Sequence, residues 1–600
     1  MTPDSRKAEI FVLLEDVLQD RARLFHAPES VVRLDGADGD IAAAFAILED
    51  GLSRGLHAAG FMSYELGYAF EPRLQERAQA EAAVPLLWFG LFKAPQSLTS
   101  RQAGEWLAKR GGDYRLKQPP RPTITRETYR ARFETTKRMI EAGDIYQLNL
   151  TFKADFEIDG DPAALYRRLR LTQPVSHGGL VSTPDFSIVS LSPELFLART
   201  GTRLRSRPMK GTEPRGISQS ADARARARLH DDEKQRAENL MIVDLMRNDI
   251  GRIARIGSVK VPDLFTVETY PTLHQLTSGV EGEIAEDTTA EAIMRALFPA
   301  GSITGAPKIR AMELIHDLEQ GPRGVYCGSI GTIAPNRDLD FNVAIRTLVI
   351  LPDGRGEIGI GSGIVADSEA DAEYDEAILK MRFLNDALAD FDLFETMLDV
   401  PGSGIWLIEE HLERLERSAA HFGFPFDRVA ALGLIGRETQ TGERLRVRLV
   451  LRADGEMSLT KATLAAPEGG TPAEVRYVIS PTRLSSDDLF LRHKTTRRDI
   501  YDREFEQYHA ACGAGEVIYL NESGALCEGS RTNIFVDIGG ELLTPPLACG
   551  LLPGTLRARL LADGKARESL LTLADLGRAK AVYLGNSVRG LQPARPVDGQ

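Results

Sequence analysis

The 600 residues carry 86 acidic and 73 basic side chains, a net charge of −13, and 43% of them are hydrophobic. That is more chain than one hydrophobic core accommodates, so two or more domains are expected, and the acidic balance excludes a general nucleic-acid binder while leaving room for an anionic ligand in a locally basic pocket. No run of about 18 apolar residues occurs, and the opening "MTPDSRKAEI" has no apolar signal core. Cys327, Cys512, Cys527 and Cys549 lie far apart and show no metal-site spacing. A cytoplasmic protein in a reducing compartment, with no membrane attachment, is the expectation.

In chain order, "FVLLEDV" and "GFMSYELGYAFE" open a subregion of residues 1–120, and the proline-rich "RGGDYRLKQPPRPTITRETY" (Arg110 to Tyr129) crosses into a core of residues 121–388. There, short strands such as "YQLNLTFKADFEI" and "FSIVSLSPELFLAR" interleave with long amphipathic helices, which predicts an α+β layered domain. "SRPMKGTEPRG" (Ser206 to Gly216) sets Lys210 between a proline turn and a glycine. Arg205, Arg207 and Arg215 are close by, so solubility needs no fourth cation, although a solvated lysine is the plainer reading of this stretch alone. In "DDEKQRAENLMIVDLMRNDIGRI", Leu240, Met241, Val243 and Leu245 predict one buried helix face with Glu238 at its edge.

"GSITGAPKIRAMELI" and "GIGSGIVADSEA" each read as a small-residue turn running into a helix. The second helix is predicted to open with a Ser368–Asp371 capping box and to carry Glu373 and Glu376 on one face. Exposed amides at helix starts favour anions, and two carboxylate-bearing helices would suit a hard divalent cation bridging to an acidic ligand. A second strand-helix-strand series starts near Phe391, with "DLFETM", "GIWLIEEHLERLERSAAHFG" and "RLRVRLVLRADG". This predicts a boundary at about residues 387 to 392 and units of 1–388 and 389–600.

Six stretches in order, "LSPELFL", "PMKGTEPRG", "RAENLMIVDLMRNDIGR", "GSITGAPKIRAMELI", "DFNVAIRT" and "GSGIVADSEADAEYDEAILK", resemble the chorismate-utilising enzymes. These are anthranilate, isochorismate and salicylate synthases and aminodeoxychorismate synthase component I. The resemblance implies a β-sandwich with surrounding helices. It makes Glu238 and Glu376 ligands of Mg²⁺ and Glu194 the general acid for the C4 hydroxyl, a task that needs a raised pKa. His274 takes the place of a motif histidine that is either a proton carrier or part of the core. Arg346 and Tyr326 grip the pyruvyl carboxylate, and Ser302, Gly361, Ser362 and Gly363 add donors. Anthranilate synthases resemble the "PMKGT" stretch but have alanine where this chain has Lys210. In aminodeoxychorismate synthases that lysine attacks C2 of chorismate as the C4 hydroxyl leaves, and ammonia then adds at C4 and expels it. The opening segments resemble a tryptophan-binding pocket of some relatives and are read here as scaffold.

In the second unit, Lys494 of "LFLRHKTTRRDIYDRE", Glu528 of "LCEGSRTNIFV" and the turn of "LPGTLRARL" are the parts a pyridoxal phosphate site needs. With "EEHLERLERSA" they resemble the fold-type IV pyridoxal phosphate enzymes, which include branched-chain and D-amino-acid aminotransferases and aminodeoxychorismate lyase. The resemblance implies Lys494 as the Schiff-base lysine, Glu528 as the ring-nitrogen partner and Arg414 as the phosphate arginine. The turns at Leu552 to Thr555 and at Asn586, Ser587 and Val588 complete the cradle. The opening strand of the family looks trimmed to "FDLFETM".

The expected whole is a bifunctional synthase and lyase making 4-aminobenzoate. An aminotransferase second unit is one rival, and a non-catalytic chorismate-binding regulatory subunit is another. None of the four cysteines has a glutaminase-like setting, so a separate glutamine amidotransferase subunit is expected to supply ammonia. A homodimer through the second unit is a further expectation.

Overall fold

The computed structural model describes residues 9–36, 39–78, 83–110, 112–214, 219–269, 273–319, 321–381, 383–384, 391–422, 424–439, 442–452, 455–464, 473–486 and 488–597. Most of the expected junction and Arg215 lie outside the described residues. The chain divides into two compact units, Met1–Leu388 and Ala389–Gln600. No described helix is long and apolar enough to cross a membrane.

The first unit is built on a ten-stranded and an eight-stranded antiparallel sheet, with a three-stranded sheet beside them. Leu13, Phe152 and Leu180 of the larger sheet and Met62, Phe89 and Phe341 of the smaller fall in one buried cluster, so the two sheets pack face to face. The strand Gln147–Gly160 is buried on both faces over its first half and alternates inward and outward over its second. It pairs with Arg355–Ile364 all along that strand, from Arg355 opposite Glu157 to Ile364 opposite Leu148. Gly361, Ser362 and Gly363 therefore lie within a strand, not in the expected turn. The alternating isoleucines of "EIGIGSGI" are the period-two signal for it.

Two helix expectations change in the structure. Glu233–Gly251 buries Ile242, Val243, Met246 and Ile250, whereas Leu240 is 43% exposed. The run "LMIVDLM" is apolar on every side, so periodicity could not set its rotation. Buried polar anchors set it instead: Asn239 bonded to Ser278, and Asp249 paired with Lys308. Ala370–Leu379 has no side-chain cap at its start. Ser368 Oγ accepts from the Val365 amide, and Asp371 is taken by Arg126 and Arg130 of the neighbouring helix Arg126–Glu141. Charge-assisted bonds to two arginines outweigh one to a helix-end amide.

The second unit joins a four-stranded sheet to an eight-stranded one with parallel pairs at its centre. Its first strand, Leu393–Val400, is not trimmed: it pairs with Leu445–Leu451 from Leu393 opposite Leu451 to Asp399 opposite Leu445. The helix Ile408–Phe422 buries His411, Leu412, Arg414, Leu415, Ser418, Ala419 and Phe422. Three-residue spacing thus puts His411 and Arg414 on its inner face.

Candidate active sites

Lys210 sits on Met209–Pro214, whose pairing with Leu273–Thr277 shifts register between Met209 and Thr212. A bulge of this kind re-aims a side chain. The Lys210 Nζ lies 3.8 Å from Glu238 Oε2, and both side chains are largely buried. A Cβ on Gly363 would fall 3.1 Å from Lys210 Nζ and 2.8 Å from Gln147 Nε2, so a glycine is what lets the strand approach the amine. Gln147 Oε1 is buried with no hydrogen-bond partner among the described residues.

Glu194, 4% exposed, sits between the strands Ser187–Ser192 and Leu195–Thr200. Burial pushes its carboxyl up to about 7, and Ser302, Lys210 and the Met209 amide pull it part of the way back. Ser302 Oγ is buried beside it without a well-formed hydrogen bond of its own. Burial lowers the proton affinity of Arg346, whose guanidinium has no carboxylate partner among the described residues. Its backbone is in the left-handed region at φ 49°. Tyr326 is buried, and its phenol is held well above the usual range. Lys210 thus acts on the charge of Glu194, and a buried acid set beside an amine in this way marks a candidate site.

Other expected residues are placed differently. Ser362 Oγ faces Tyr129 OH at 3.4 Å, so its hydroxyl is not free. The neighbouring strand Thr347–Ile350 runs beside only Gly356–Ile358, so among the described strands the glycine stretch pairs with Gln147–Gly160 alone. His274, 1% exposed, has Nε2 3.0 Å from Asp222 Oδ1 and Nδ1 3.0 Å from Thr269 Oγ1, the arrangement of a core histidine. Glu376 is 55% exposed and paired with Lys380 at 2.8 Å, and Lys380 donates to the Gly361 carbonyl. Glu373 on the same helix is the buried one.

The structure therefore links Glu238 and Glu376 only indirectly, each carboxylate facing its own lysine. Among the described residues no three metal-ligand side chains cluster. Two carboxylates still match Mg²⁺, which takes one or two and keeps water. Of the opening segments, "FVLLEDV" lends Leu14, Glu15 and Asp16 to the wall of a cavity of about 1100 Å³ that Arg23, His177, Arg205 and Asp340 also line. Glu15 in it forms a buried ion pair with Arg170.

In the second unit Lys494 is half-buried at the ring of Phe394, its Nζ 4.8 Å from the centroid. Burial, Arg414 and Arg498 bring its amine down to about 7 against the opposing pull of Glu395 and Glu528. Glu528 is pushed up to about 7 by burial, while accepting from the Leu552 amide at 3.0 Å and Tyr501 OH at 2.9 Å. The Leu552 amide is thus occupied, not free for an anion as expected. Asn586 bonds its own turn, accepting from the Val588 and Arg589 amides, and Ser587 lies against the Thr396 carbonyl.

Of the expected cradle, Pro553, Gly554 and Thr555 stand at the start of Thr555–Ala562 beside Arg414, which donates to the Pro553 carbonyl at 3.0 Å. A Cβ on Gly554 would fall 1.9 Å from Asn533 Oδ1, so only glycine fits this turn. An amine near neutrality, a carboxyl ready to pair with a cation and an arginine at a helix start together fit pyridoxal phosphate. Glu395, Tyr501 and Arg498 were missed by sequence reasoning, which met His411 only as the histidine of the His-x-x-Arg pattern around Arg414 and gave it no role. The buried spacing of "EEHLERL" is the signal that could have given it one.

Residues 10–386 match the family model described as chorismate binding enzyme, and residues 392–597 match amino-transferase class IV. Aminodeoxychorismate synthase component 1 of Escherichia coli (strain K12) is 37% identical over 343 residues, 54% of this chain and 75% of that one. Anthranilate synthase component 1 of Cereibacter sphaeroides is 41% identical over 276 residues, 46% of this chain and 55% of that one. The crystal structure of anthranilate synthase component I from Streptococcus pneumoniae superposes with a TM-score of 0.53 at 27% identity, covering 64% of this chain and 94% of that one.

Proposed function

This chain belongs to the chorismate-binding enzyme family and carries a class IV amino-transferase unit behind it; on that premise we propose that it makes 4-amino-4-deoxychorismate from chorismate and ammonia and converts it to 4-aminobenzoate and pyruvate. The observation that carries the first step is the amine of Lys210 in one buried cleft with Glu194. Lys210 Nζ bonds to C2 as the C4 hydroxyl departs, and Glu194 gives that oxygen its proton. Ammonia then bonds to C4 and the lysine leaves with the electron pair of its C–N bond. A carboxyl near 7 is protonated often enough to donate and ionised readily afterwards.

Arg346 meets the pyruvyl carboxylate with a guanidinium that has no carboxylate partner among the described residues, and Tyr326 is assigned to the same carboxylate by the family resemblance. Mg²⁺, held by Glu238 and Glu376, would supply positive charge for the ring carboxylate. A separate glutamine amidotransferase subunit supplies the ammonia, in keeping with a relative named as component 1.

Pyridoxal phosphate, when bound to the second unit, supplies an electron sink beside an amine-bearing carbon. Lys494 Nζ, near neutrality, takes the proton from that ring carbon, and Glu528 pairs with the cofactor's ring nitrogen. Arg414 and Thr555 hold the phosphate. Pyruvate then leaves and the ring becomes aromatic.

The test is Lys210→Ala with two readouts. Formation of aminodeoxychorismate should fall by about 10²-fold or more, while added aminodeoxychorismate is converted at the normal rate. A wild-type rate of formation would make Lys210 a bystander. Failure to release pyruvate from added aminodeoxychorismate would favour an aminotransferase second unit.

A further inference from the structure

Behind the cradle of the second unit stands a carboxylate with no role in the chemistry above. Glu395, on Leu393–Val400, has a side chain 1% exposed. Its Oε1 accepts from Arg414 Nε at 2.8 Å, and its Oε2 accepts from Arg414 Nη2 at 2.6 Å and from His411 Nδ1 at 2.6 Å. With Nδ1 fixed on Glu395, His411 turns Nε2 to Thr555 Oγ1 at 3.4 Å. Arg414 has five N–H groups. Two go to Glu395 and one to the Pro553 carbonyl, which leaves two on the side of the turn.

We propose that Glu395 is the positioning residue of the phosphate cradle, one carboxylate orienting both Arg414 directly and Thr555 through His411. The proposal rests on the pyridoxal phosphate reading above. A side-on arginine fork is locked in plane by two parallel bonds, so its remaining N–H groups point one way. Without the carboxylate, the arginine is free to swing and the imidazole loses the bond that sets its tautomer. Groups that carry no ligand of their own commonly fix those that do, and their loss typically costs about 10- to 100-fold in affinity. Glu395 reaches Lys494 only through its charge and bonds directly to His411 and Arg414, so the larger part of its effect should fall at the phosphate end.

That difference is the test. Cofactor-free wild type and Glu395→Gln are titrated with pyridoxal phosphate and, separately, with pyridoxal, which has the same ring and aldehyde but no phosphate. Binding is read from absorbance and from borohydride trapping on Lys494. Glu395→Gln should weaken pyridoxal phosphate by about 10-fold or more and leave pyridoxal within about 2-fold. Equal weakening of both ligands, or no weakening of either, overturns the proposal. If Glu395→Gln does not fold, His411→Asn decides. It keeps a donor for Glu395 but loses reach to Thr555, so it should weaken pyridoxal phosphate by a few-fold and spare pyridoxal, and an unchanged ratio overturns the relay. A wild-type protein that binds neither ligand removes the cofactor reading itself, and this proposal with it.

Discussion

Glu194 shows how one buried carboxyl sets both rate and stability. Its folded value of about 7 lies above the ordinary 4.5, because burial outweighs the help of Ser302 and Lys210. Below about pH 4.5 the group is protonated folded or unfolded and costs nothing. As pH rises to 7 the unfolded chain ionises first, and the folded state loses on the order of 3 kcal/mol. Glu194→Gln should therefore raise the unfolding midpoint at pH 8, leave it nearly unchanged at pH 4, and abolish chorismate turnover. Equal stability shifts at both pH values would show that ionisation is not the cause. In the wild type, turnover at saturating chorismate and a fixed concentration of unprotonated ammonia should decline above pH 7 with a one-proton slope. Lys210, Glu194, Lys494 and Glu528 were named because the stretches around them resemble family motifs, whereas residue types alone favoured a solvated Lys210. Gln147 and Glu395 were not, since "YQLNL" and "FETML" read as ordinary strand and only cross-strand neighbours reveal their partners.

The strand Arg355–Ile364 is the element on which the first site most depends. It carries Gly363 to the amine of Lys210 and offers the Gly361 carbonyl to Lys380. Gly363→Ala adds a methyl 2.8 Å from Gln147 Nε2 and 3.1 Å from Lys210 Nζ, and these flexible tips must move. The strand's backbone does not need a glycine conformation there. The protein should therefore fold with a normal circular dichroism spectrum and lose roughly 10-fold or more in aminodeoxychorismate formation. An undiminished rate would show that the amine works from elsewhere. The helix bearing Glu376 is clasped through Arg126 and Arg130 to Asp371, pairs exposed enough that they orient the helix more than they stabilise it. The existence of these helices was legible, but their rotation and capping were not. Ion pairs and buried amides contributed by other elements settled both.

Each unit has its own buried clusters, the largest of the first running from Phe11 to Leu384 and the first of the second from Phe391 to Phe490. Two unfolding transitions are therefore expected. Added pyridoxal phosphate at 100 times its dissociation constant should stabilise only one of them, by about 2.7 kcal/mol. Calorimetry with and without cofactor checks this, and a single transition that moves as a whole would contradict it. The start of the second unit has a further consequence. Asp392 bonds both ways with Thr496, Phe394 donates to the Lys494 carbonyl, and Glu395 backs Arg414. The opening strand thus reaches the lysine at one end of the cofactor site and the arginine at the other. For the joining of two genes this sets a rule: nothing can be removed beyond Phe391 without disturbing the second active site. A second half that began at Met397 would keep Lys494, Arg414 and Glu528 and still lack what orients them, so recombination between such fusions is confined to breakpoints upstream of Phe391.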